Sequence, residues 1–136
     1  MCKDLQAVGY EVLLVQENKL YDIVDISNRW GADLFVSIHC NSATNIEAKG
    51  TETFAYTSES DSDKLAQCIQ SQIINSLSIV DRGVKYSGFY ILKYTDAPAM
   101  LVEIAFISNV DDEKLLAEKK AEFSHAIARG ITDYYL

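Results

Sequence analysis

Apolar residues change their spacing several times along this chain, and each change predicts an element. Residues 3–8 have helical character and meet a stop signal at Gly9. Residues 11–16 read as a short buried strand, since Val12, Leu13, Leu14 and Val15 form an unbroken apolar run. Leu20, Ile23, Val24 and Ser27 then recur at the helical period, predicting a helix over about residues 19–30 that ends at Gly31. An apolar strand follows and stops at His39 and Asn41. Residues 50–56 alternate and are rich in Thr and aromatic side chains, so they read as another strand.

Residues 58–63 are polar and acidic, with Ser60 placed to cap a helix running to about Leu77. Leu65, Ile69, Ile73 and Leu77 are its core stripe. Residues 81–85 read as a turn about Gly83, and residues 89–93 as a strand. A second long apolar strand covers residues 99–109, Asn109 opens a helical region, and a last helix covers about residues 119–134. Strands alternating with helices predict one three-layer α/β/α domain with a mostly parallel or mixed sheet over residues 1–136.

Composition narrows the function classes. With 49% hydrophobic residues in 136, the chain has enough apolar material for one core. No apolar run is long enough to cross a bilayer, so no membrane partner is expected. A net charge of −8 argues against nonspecific nucleic-acid binding and against adhesion to anionic surfaces by charge alone. The three cysteines, Cys2, Cys40 and Cys68, are odd in number and widely spaced, which fits free thiols better than disulfides or a zinc knuckle.

Two residues break the apolar strands. His39 closes the first, at the end where ligands gather in open α/β sheets. Strand alternation puts Phe35, Ser37, His39 and Asn41 on one face and Cys40 on the other, so Cys40 is not expected to share a ligand with His39. A lone strand-end histidine also fits a purely structural role. Glu103 is the sharper anomaly, a carboxylate inside the run from Ala99 to Asn109. Burial there raises its pKa and suits it to general-base work; the alternative is a salt bridge to Arg82 or Lys85. His125, on the polar side of the last helix, reads as a surface residue. The acidic run from Glu59 to Asp63 lacks the glycine and closing glutamate of a calcium loop.

At these residues the chain resembles the zinc-dependent N-acetylmuramoyl-L-alanine amidases of bacterial cell-wall turnover, sporulation and phage lysis. The resemblance is carried, in order, by Gly31 to Ala43, Gly50-Thr51-Glu52, Asp81 to Lys85, Pro98 to Asn109 and Ile127 to Tyr135. Ala105 stands where that family usually has glycine. The resemblance implies hydrolysis of the amide between N-acetylmuramic acid and L-alanine of peptidoglycan, with zinc as cofactor. It makes His39 a zinc ligand, Glu103 the catalytic carboxylate and Asn41 a substrate-binding candidate.

The family's other two ligands, a histidine after its opening strand and a glutamate on its first long helix, have no counterpart here. An N-terminally truncated domain is therefore expected, lacking that strand and most of that helix. Exposed sheet edges and self-association through them would follow. The work itself belongs at the cell wall, while the first residues show no signal peptide. The competing reading is a non-catalytic amidase-like remnant that binds muropeptide or a protein partner.

Overall fold

The computed structural model describes residues 1–136. Its frame is a four-stranded sheet of β1 (Phe35–Asn41), β2 (Thr51–Ala55), β3 (Asp81–Tyr86) and β4 (Ala99–Phe106) in the order β1-β4-β2-β3. β1 runs parallel to β4 and β2 parallel to β3, while β2 and β4 are antiparallel. The sheet is therefore mixed, as the alternation of elements predicts.

Helices cover both faces. On one side lie α1 (Cys2–Ala7), α3 (Asp61–Ser76) and α6 (Lys120–Tyr134), and on the other α2 (Leu20–Trp30) and α4 (Tyr90–Tyr94). α5 (Val110–Glu118) follows β4. The larger core joins Leu65, Ile69 and Ile73 of α3 to Met100 and Val102 of β4 and to Phe123, Ile127 and Ile131 of α6. The smaller core joins Val24, Ile91, Leu92, Ala99 and Leu101. These two cores make the three layers.

Local chemistry fixes several ends as the sequence predicts. Ser60 caps α3 by accepting the Asp63 N–H at 3.1 Å. Asn109 caps α5 by accepting from Asp111 and Asp112. α2 ends at Gly31.

Three expectations are corrected. Residues 11–16 run without helix or ladder pairing and make no backbone–backbone hydrogen bond; Leu13 and Leu14 are 44% and 66% exposed. An apolar run favours a strand only where a neighbour supplies hydrogen bonds, and none adjoins it. Residues 81–85 form strand β3, not a turn, because they pair with β2. Gly83, at φ 78°, takes up the register slip between Thr51 and Thr53 inside that pairing. Residues 89–93 contribute to helix α4, not a strand. The neighbouring side chains of Ile91 and Leu92 both enter the smaller core, which strict strand alternation would forbid. The β1–β4 register slips between His39 and Asn41, and past Glu103 the side chain of Ala105 packs in the larger core.

Candidate active site

Three side chains form a row across the sheet. His39 on β1 is the register partner of Glu103 on β4, and Glu103 is the register partner of Glu52 on β2. Register partners share a face, so all three project on the side of the smaller core, towards the carboxyl ends of β1 and β4. The sequence singles out the first two. Glu52 enters the sequence reading only as the last residue of the Gly50-Thr51-Glu52 motif, with no role assigned, on a strand that reads as an ordinary alternating one.

Glu52 is the better satisfied of the two carboxylates. Its side chain is 7% exposed, and it pairs with the Arg82 guanidinium at 3.0 Å and with the Lys85 ammonium. The Asn41 amide donates to its Oε1 at 2.9 Å. Burial pushes the Glu52 carboxyl up, but Lys85 and Arg82 more than offset this and hold it below the usual carboxylate range. Arg82 also lies over the Phe106 ring at 4.9 Å.

The two cations suggested as partners for Glu103 thus belong to Glu52. Glu103 keeps no hydrogen bond at Oε2, although that atom is buried. Burial, and then the charge of neighbouring Glu52, push its pKa up. A carboxyl group that is shielded, unpaired and raised in pKa is suited to taking up and giving back a proton.

His39 is exposed, and its Nε2 lies 2.7 Å from Ser37 Oγ. Asn41 has both ends of its amide engaged, donating to Glu52 and accepting the Ser42 N–H at 3.0 Å. That arrangement makes Asn41 a brace for Glu52. His125 sits apart from the row, on the surface, 2.9 Å from Asp4. No three histidine, cysteine or acidic side chains converge anywhere in the structure in a way that could hold a metal ion.

Comparison with known proteins gives these positions a context. The family profile described as N-acetylmuramoyl-L-alanine amidase (Amidase_3) matches residues 1–133. The protein YqiI of Bacillus subtilis is 47% identical over 109 residues, covering 76% of this chain and 52% of its own length. The N-acetylmuramoyl-L-alanine amidase LytC of the same organism is 40% identical over 76% of this chain, which spans 22% of LytC. Among solved structures, the amidase AmiC2 of Nostoc punctiforme superposes with a TM-score of 0.91 at 30% identity, over 98% of this chain and 77% of AmiC2. The chain thus spans about half, or less, of these curated relatives.

Proposed function

Given that the chain belongs to the N-acetylmuramoyl-L-alanine amidase family, we propose that it supplies the proton-transfer part of a peptidoglycan amidase. The bond cleaved is the amide joining the lactyl group of N-acetylmuramic acid to L-alanine of the stem peptide. The single observation that carries this reading is Glu103, whose buried Oε2 is unpaired at the carboxyl end of a central strand.

Amide hydrolysis needs a proton removed from the attacking water and one delivered to the leaving nitrogen. Glu103 can serve both needs in turn, since its raised pKa brings its two protonation states closer in energy near neutral pH. Glu52, held ionised by Arg82 and Lys85, adds negative charge beside it and favours the proton-bearing state. The same two cations keep Glu52 from taking the proton itself.

Zinc does not fit the donors that this chain brings together. A catalytic zinc usually takes three protein ligands. His39 is one donor, and no other histidine, cysteine or carboxylate completes a set with it. This shortfall supports the second reading, a non-catalytic module that binds muropeptide. Further donors from an additional segment or partner chain would restore the catalytic one.

The test is release of new alanine amino groups from purified peptidoglycan, with zinc supplied and metal content measured in parallel. Turnover that disappears in Glu103→Ala, while bound zinc is kept, supports the amidase reading. Saturable binding to peptidoglycan without turnover refutes it for this chain and favours the binding module. Near-equimolar zinc that is lost in His39→Ala identifies His39 as a ligand.

A further inference from the structure

Two cations share one carboxylate beside the row, and the balance of charge is positive there. Arg82 and Lys85 both contact Glu52 Oε2, the guanidinium at 3.0 Å. Glu52 also accepts from the Asn41 amide at 2.9 Å, so a single cation would satisfy it. The cluster therefore carries one net positive charge, in a chain whose net charge is −8. Unused donors go with that charge. Lys85 uses one of its ammonium N–H groups; Arg82 uses its Nε–H on Glu52 and an Nη1–H on Lys49 O. Nη2 of Arg82 keeps both of its donors free. The Glu52 side chain is 7% exposed, against 34% for Arg82 and 43% for Lys85, so the free donors face solvent rather than core.

Arg82 is held in place. A Cβ on Gly50 would lie 2.9 Å from the Arg82 Cγ, so this glycine leaves room for the side chain to cross the start of β2. The guanidinium ends over the Phe106 ring at 4.9 Å, at the carboxyl end of β4. Lys85 comes from the other side. It is the register partner of Phe54, two residues on from Glu52 along β2. The two cations thus bracket Glu52 on the face that carries Glu103. Donors already fixed in position bind an anion at a smaller ordering cost.

Position selects the anion. This step rests on the amidase reading, in which the scissile nitrogen lies within reach of Glu103. In the peptidoglycan stem, L-alanine is followed by D-glutamate joined onward through its γ-carboxyl. The α-carboxylate of that glutamate is free unless it has been amidated. Its carbon is roughly 6 Å from the alanine nitrogen in an extended chain. Glu103 and Glu52 are register partners on adjacent strands, which lie roughly 4.8 Å apart. A stem that starts at Glu103 and runs towards β3 brings this carboxylate to Arg82 and Lys85. The opposite direction leads to β1, where the row offers only His39.

We propose that Arg82 and Lys85 form a carboxylate subsite for the second residue of the stem peptide, which orients the stem towards β3 and selects D-glutamate over its amidated form. Arg82 Nη2 and Lys85 Nζ donate to the incoming carboxylate while their bonds to Glu52 stay in place.

The probes are two forms of N-acetylmuramoyl-L-alanyl-D-glutamate, both with the γ-carboxyl capped as a methylamide. One has a free α-carboxylate and the other an α-carboxamide. Each is titrated into the full chain and read by NMR shifts of the Glu52, Gly83 and Lys85 amides. The free acid should bind at least about fivefold more tightly than the carboxamide. Lys85→Gln keeps a donor for Glu52 and removes the surplus charge; it should bring the two affinities to within about twofold. The carboxamide should bind this variant as it binds the original chain, which shows that the fold is kept. Lys120→Gln makes the same charge change at an exposed position of α6, across the sheet, and should leave the preference intact.

Equal affinity for the two probes would overturn the proposal, as would a preference that survives Lys85→Gln or the failure of both probes to bind. Displacement of the acid probe by inorganic phosphate at equal concentration would overturn it too, since the cluster would then be a general anion site. None of these readouts needs metal or turnover. Turnover without acid preference removes the subsite and leaves the amidase reading standing; acid preference without turnover does the reverse.

Discussion

Glu103 and Glu52 are the same residue type in register on adjacent strands, yet their surroundings drive them in opposite directions. Glu52 has two cations and an amide; Glu103 has none of these. The consequences for stability have opposite signs. A carboxyl whose pKa is raised in the folded state contributes stability at low pH that is lost as pH rises through its folded value. Glu103→Gln should therefore raise the melting temperature at pH 7, with the gain shrinking as pH falls through the raised folded value and gone below the ordinary carboxylate range. A carboxyl with a depressed pKa contributes stability above its unfolded value, and this is lost as pH falls through the folded value. Glu52→Gln should cost about 2 kcal/mol near neutral pH, the scale of charge-assisted hydrogen bonds lost to Arg82 and Lys85. That cost should diminish in acid. Denaturant unfolding of both variants from pH 3 to 8 reads the two signs directly.

Between elements, α3 and α6 meet at close quarters. A Cβ built on Gly130 would lie 2.6 Å from the Cα of Ile69, against backbone that cannot swing away. The glycine lets two helices approach more closely than any side chain permits. Gly130→Ala should push them apart and destabilise the fold by about 1–3 kcal/mol, the usual cost of overpacking. Gly88→Ala, at a position where an added methyl meets nothing, is the control and should be near neutral. Urea unfolding of the two variants makes the comparison. A second tie between elements is Asp112, 2% exposed at the start of α5, which accepts from the Gly50 and Phe106 amides at 2.8 Å each. It fixes the beginning of β2 to the end of β4, and so helps keep Glu52 level with Glu103.

At the scale of the whole molecule, stability is uneven. β4 lies inside the sheet with both edges paired, and its neighbours fill both cores. β1 closes one side with a free edge, and residues 11–16 lie beyond it unpaired. In the free chain, amides 12–16 should therefore exchange nearly as fast as in an unstructured peptide. Those of α3 and β4 should exchange only through global unfolding. Native-state exchange read by NMR or mass spectrometry checks this contrast. His39 stands at the boundary, on the free-edged strand, while Glu103 is held in the paired interior. The site thus has one half held firmly in the paired interior and one half on a strand with a free edge.

Much of this was already written in local sequence. Helix stops and caps such as Gly31, Ser60 and Asn109 act within a few residues, so their chemistry is readable in order along the chain. The same holds for His39 and Glu103, since a polar residue inside an apolar strand announces itself through its neighbours. What pairs with what is not local. Whether Asp81 to Lys85 became a turn or a strand depended on Thr51 to Ala55 being free to pair with it. Phe89 to Lys93 became helical to fill a core shared with Val24. Arg82 and Lys85 went to Glu52 rather than Glu103 because the strand order puts β3 beside β2, one strand away from β4. Sequence spacing determined which residues were out of place in their strands. Only the tertiary structure, by joining segments dozens of residues apart, decided that one carboxylate would be neutralised and its neighbour left free to carry a proton.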